Sequence, residues 1–94
     1  MIKIVATFKV KPGMNAEFVK FCQPLIESSQ KEAGNISYEL FQNRDDEGAM
    51  AFIEEWRDQS AIDFHNDTEE FKSAAGGLDK YLASSLQIDF YTRA

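Results

Sequence analysis

Met50-Ala51-Phe52-Ile53-Glu54-Glu55-Trp56 alternates. Met50, Phe52, Glu54 and Trp56 share one side of an extended chain, and Ala51, Ile53 and Glu55 share the other. A period of two marks a strand, because successive side chains point to opposite faces. From Asp58 the rhythm changes. Ala61, Ile62 and His65 recur at helical spacing, and Asp58 is suited to cap the helix they would form. Thr68 predicts a second cap, followed by Glu69 and Glu70, where a helix start favours negative charge. A strand therefore delivers the only tryptophan to its end, and the next helix carries the only histidine, His65. Chemistry is expected around this turn.

Outward from it, residues 2 to 10 alternate as a first strand, with Ile2, Ile4, Ala6, Phe8 and Val10 on one side. Pro12-Gly13 ends it. Asn15 predicts the cap of a helix running to about Ala33, with Phe18, Phe21, Cys22, Leu25, Ile26 and Ser29 as its inner stripe. Pro24 removes one of its hydrogen bonds and predicts a kink near Lys20, and Gly34 predicts the stop. A second strand, Ile36 to Gln42, places Ile36, Tyr38 and Leu40 together, with Phe41 opposite. A polar loop, Asn43 to Gly48, leads into the strand first described. Past Thr68, Gly76-Gly77 predicts a helix break, Leu78 to Leu82 another turn, and Leu86 to Thr92 a fourth strand.

The order is βαββαβ across a single 94-residue domain. It predicts an α+β ferredoxin-like fold: a four-stranded antiparallel sheet with its helices on one face. Large residues occupy both faces, Phe8, Phe52, Trp56 and Phe90 on one and Phe41 and Tyr91 on the other. A half-covered sheet should alternate more cleanly, so a homodimer burying the open faces is expected. A net charge of −6 argues against nucleic acid and anionic membrane surfaces. The lone Cys22 rules out an intramolecular disulfide and predicts a buried, inert thiol. No apolar leader or spanning stretch is visible, so the cytoplasm is the expected location.

Val10-Lys11-Pro12-Gly13, then Glu32-Ala33-Gly34-Asn35-Ile36-Ser37-Tyr38, then Glu54-Glu55-Trp56 followed by Ala61 and His65, occur in an order that resembles the antibiotic biosynthesis monooxygenase family along nearly the whole chain. The resemblance implies a dimeric α+β barrel with a pocket in each subunit between sheet and helices, bordered by His65 and Trp56. It further implies oxygenation of a small aromatic, quinol- or anthrone-like substrate by O2 with no cofactor. Other branches degrade haem or isomerise small hydroxyketones, and a non-catalytic binding or stress-response dimer is the remaining alternative. Many members carry a second histidine where this chain has Glu70. The haem-degrading branch uses an asparagine on the first strand, which offers Thr7 instead, so haem degradation is not expected.

His65 is the candidate base, being the side chain that titrates nearest neutrality. Removing a proton from such a substrate gives an anion able to reduce O2. The plainer alternative is a histidine that only bonds backbone at a helix end. Trp56 is a candidate for stacking on a flat substrate or for a core anchor. Tyr38 is a candidate oxyanion donor, or packing with its hydroxyl at the rim. Glu54 interrupts an apolar face and needs a partner, for which His65 and Arg57 are the candidates. Phe71, Phe64, Leu78 and Tyr81 are expected between helices and sheet, some of them lining the pocket. Asp63, Asp67, Glu69 and Glu70 match no metal-binding spacing, and no metal is expected.

Overall fold

A computed structural model describes residues Met1–Ala94. Strand β1 (Ile2–Lys9), helix α1 (Asn15–Gln30), strands β2 (Asn35–Gln42) and β3 (Ala49–Trp56), helices α2 (Gln59–Asn66) and α3 (Glu69–Gly77), and strand β4 (Gln87–Tyr91) follow in that order. A 3₁₀ turn, Leu78–Lys80, stands between α3 and β4. The strands pair antiparallel in the order β2-β3-β1-β4. This is the expected ferredoxin-like α+β fold, with α2 and α3 together occupying the second helical place.

Register decides what meets the helices. Ile4 pairs with Glu54 and Phe90, Ala6 with Phe52 and Ile88, and Tyr38 with Glu54, so these side chains share the helix-covered face. On that face Ile4, Ala6, Phe8, Met50, Phe52, Trp56 and Tyr38 are buried, as are Phe18, Cys22 and Leu25 along α1. Phe18 and Trp56 have no exposed surface, and truncating either to alanine costs about 3–5 kcal/mol. The opposite face carries Val5, Ile53, Ala51, Phe41 and Tyr91, with a Lys3–Glu55 ion pair at 3.1 Å. Both expected caps form: the Ala61 N–H donates to Asp58 Oδ1 at 2.9 Å, and the Phe71 N–H to Thr68 Oγ1 at 3.1 Å.

Several local expectations are corrected by packing. Asn15 does not cap α1; it is the helix's first residue, and its Nδ2 donates to the Glu47 carbonyl at 2.7 Å. The helix ends at Gln30 rather than Ala33, with the exposed Pro24 inside it. Gly34 is therefore no helix stop. It lies where α2 crosses close, and a Cβ there would stand 2.3 Å from Ala61 Cβ. Ile36 does not share Tyr38's face: the register slips between Asn35 and Ser37, and this bulge leaves Ile36 56% exposed. Gly76 and Gly77 do not break a helix but finish α3, where a Cβ on Gly77 would meet the Phe21 ring at 2.8 Å. Phe64 is not packed on the sheet; it is 66% exposed on the outer side of α2. No helix is long and apolar enough to cross a membrane.

Candidate functional site

Helices α2 and α3 cover the middle of the sheet but not β4, and a cavity of about 190 Å³ lies in the gap. Its sheet side is Ile4, Ala6, Tyr38, Phe52 and Glu54; its helix side is Leu25, Ile62, His65, Phe71, Ala75 and Leu78. Leu86, Ile88 and Phe90 form its mouth and are well exposed. A second, more open depression between α1 and β2, lined by Gln23, Gln30 and Gln42 among others, holds no histidine and no buried carboxylate.

His65 sits in the last turn of α2, and its side chain is 3% exposed. Its position follows from Gly34: Ala61 packs onto that glycine, and His65, one turn on and on the same face, reaches the turn after α1. There Nδ1 lies 2.9 Å from Glu32 Oε2. A carboxylate only accepts, so this contact holds the imidazole proton on Nδ1 and leaves Nε2 with its lone pair. Nε2 is buried and has no hydrogen-bond partner within the protein, nor have Glu32 Oε1 and Ser29 Oγ. The Glu32 carboxylate and the C-terminal end of α2 both set negative potential beside the ring. The plainer alternative, a histidine bonded only to backbone, does not hold.

Glu32 joins the candidate site through His65, and the sequence pattern does not single it out. A signal for it exists: it continues the stripe of Cys22, Leu25 and Ser29 past the end of α1. Two polar residues closing an apolar stripe point to a buried polar site.

Glu54 finds a partner different from those expected. Its Oε1 accepts the Trp56 indole N–H at 3.0 Å, whereas Arg57 pairs with Asp58 at the surface. Burial pushes the Glu54 carboxyl up to about 7, opposed by the Trp56 N–H and reinforced by the charge of Glu32. Tyr38 is 2% exposed, so its hydroxyl is not at a rim. Burial first, and the nearby Glu54 next, hold that hydroxyl far above the usual tyrosine value, so it stays a neutral, protonated group. Burial likewise pushes the Cys22 thiol up to about 12, which keeps it unreactive.

The aromatic rings close around the imidazole: Trp56 at 4.6 Å between centroids, Phe71 at 5.0 Å and Tyr38 at 5.5 Å. Tyr38, Glu54, Phe71 and His65 all line the cavity. Trp56 does not. It stands fully buried behind His65 with its N–H committed to Glu54, so of its two candidate roles stacking has no free face and the core anchor is the one it fills. Asp63, Asp67, Glu69 and Glu70 are not buried, and Glu70 lies outside the cavity wall. It does not stand in for a second histidine there.

Comparison with known proteins agrees with this architecture. Residues 1–76 match the family described as antibiotic biosynthesis monooxygenase. A Bacillus subtilis (strain 168) protein named "Putative monooxygenase YcnE" is 34% identical over 88 residues, spanning 94% of this chain and 93% of its own. Among solved structures, a conserved protein from Methanosarcina mazei Go1 superposes with a TM-score of 0.95 at 32% identity, covering 99% of this chain and 92% of that one. The crystal structure of an antibiotic biosynthesis monooxygenase superposes with a TM-score of 0.91 at 26% identity, covering 100% and 99%. The fold, the cavity between sheet and helices, and the match over most of the length together make this chain a member of the antibiotic biosynthesis monooxygenase family.

Proposed function

We propose that the protein is a cofactor-independent monooxygenase that uses O2 to oxidise a small aromatic, quinol- or anthrone-like substrate in the His65 cavity. One domain, residues 1–94, carries the site, and two copies pair through the helix-free faces of their sheets. The observation that carries the proposal is the Glu32–His65 pair, which presents a buried, unpartnered Nε2 beside an apolar cavity. The volume of about 190 Å³ falls below the roughly 300–1,000 Å³ of sites for drug-sized ligands, which suits a compact substrate. Tyr38, Phe52, Phe71 and Phe90 suit a flat one.

In the proposed reaction His65 Nε2 takes a proton from the activated C–H or O–H of the substrate. The protonated Nε2 and the neutral Tyr38 hydroxyl are placed to stabilise the resulting anion. Electron transfer from this anion to O2 and recombination at carbon give a hydroperoxide. Loss of water then leaves the ketone or quinone. The substrate supplies the electrons; the protein supplies a base, an oxyanion donor and a dry aromatic wall.

The test is oxygen uptake with a panel of quinols and anthrones, without added flavin or metal, for the wild type and His65→Ala. Uptake by the wild type that falls by about 10²-fold or more in the variant supports the proposal. No uptake on any substrate rejects it in favour of the isomerase or the binding dimer.

A further inference from the structure

The cavity contains a second ionisable group that the oxygenation steps leave unused. Glu54 lies on central strand β3, is 7% exposed, and lines the same cavity as His65. Its Oε1 accepts the Trp56 N–H, and no protein group bonds its other oxygen. Both ionisable groups lean on Trp56, the carboxyl at the indole N–H and the imidazole against the ring. Tyr38 bridges them in the same way, as Glu54's cross-strand neighbour with its ring 5.5 Å from the imidazole. Glu54 and His65 make no hydrogen bond to each other. They can therefore act on different atoms of one substrate.

We propose that Glu54 is the acid that completes the oxygenation, protonating the departing oxygen of the substrate hydroperoxide while His65 removes the remaining proton on the same carbon. This rests on the oxygenase proposal above. After O2 has added to the substrate anion, the imidazolium returns its proton to give the neutral hydroperoxide. Water loss then needs a base and an acid together. His65 Nε2 takes the C–H proton, the C–H electron pair becomes the second C–O bond, and the O–O bond breaks. Its electron pair leaves on the distal oxygen, which takes the Glu54 proton and departs as water. A proton passing from imidazolium to carboxylate, through that water, restores both groups. In sum a CH2 group and O2 give C=O and H2O, with no outside reductant.

An acid in this role must hold its proton near neutrality, and burial of Glu54 raises its carboxyl to about 7. The titratable groups around it are Tyr38 from β2, Glu32 from the turn after α1 and His65 from α2, with Cys22 of α1 next to Tyr38. Strands β1 and β4 bring only Ile4 and Phe90 to this level of the sheet.

Glu54→Gln keeps the shape and the acceptor for Trp56 but has no proton to give. With an anthrone substrate, wild-type kcat is expected to fall above about pH 7 as Glu54 ionises. In Glu54→Gln this alkaline limb disappears, kcat drops by about 10²-fold, and peroxide appears in place of part of the ketone. Trp56→Phe removes the N–H that favours the anion, so its alkaline limb moves to higher pH; this second variant tests the same group if the first folds poorly. Oxygen uptake by the wild type with an unchanged limb and ketone yield in Glu54→Gln overturns the role of Glu54 alone. A wild type that consumes no oxygen overturns the oxygenase proposal and this one with it.

Discussion

His65 Nδ1 lies 2.9 Å from Glu32 Oε2, tying the last turn of α2 to the turn that follows α1, 33 residues earlier. The contact orients the ring and selects its tautomer. Glu32→Gln substitutes an amide that can present either oxygen or nitrogen to Nδ1, so Nε2 is no longer held as an acceptor. Oxygen uptake on an anthrone is expected to show kcat lowered about 10–100-fold with KM little altered. An unchanged kcat would remove Glu32 from the mechanism.

Close approach at Gly34 gives a stability prediction with its own control. Gly34→Ala drives a methyl group into Ala61, displaces α2, and is expected to cost about 1–3 kcal/mol. Because His65 rides on α2, activity falls with it. Gly76 lies inside α3, and a methyl group added there would meet nothing within 4 Å, so Gly76→Ala should raise stability by about 0.5–1 kcal/mol. Thermal melts of both variants decide the matter; a Gly34→Ala protein that melts at or above the wild type contradicts it.

Glu54 couples stability to pH. Its carboxyl is raised from 4.5 to about 7 on folding, so between those values the folded state binds the proton that the unfolded state has released. Stability from this group is complete at low pH and is lost as pH rises through 7. At about 1.4 kcal/mol per pKa unit, the loss is on the order of 3 kcal/mol. Urea unfolding at pH 5 and pH 8 should show a smaller decline for Glu54→Gln than for the wild type. Equal declines would place the titration elsewhere.

The helix-free sheet face has Ile53 paired with Val5 at its centre, and Phe41 and Tyr91, 46% and 53% exposed, toward its edges. Sedimentation velocity is expected to find a wild-type dimer and an Ile53→Lys monomer. A wild-type monomer at micromolar concentration would reject the pairing.

Much of the fold was legible because it is local. The alternation in β3 put Met50, Phe52, Glu54 and Trp56 on one face, and all of them are buried. Asp58 and Thr68 announced helix starts because a cap needs only a side-chain oxygen and an amide three residues on. The site was half legible. His65, Tyr38, Glu54 and Phe71 do converge on one cavity. Trp56 left two roles open, stacking or core anchor, because an aromatic residue at a strand end has the same pattern whether it faces a cavity or stands behind one.

The sequence alone determined the order of the elements, the faces of the strands and the residue types able to do chemistry, since these depend on periodicity and near neighbours. Only the tertiary structure decided who bonds whom. Glu32 meets His65 because Gly34 lets Ala61 approach, and Glu54 meets Trp56 because both face the helices. The bulge at Ile36 and the role of Gly77 against Phe21 were settled there too. Each depends on contacts across the sheet or between helices, where space and burial, rather than spacing along the chain, select the partner.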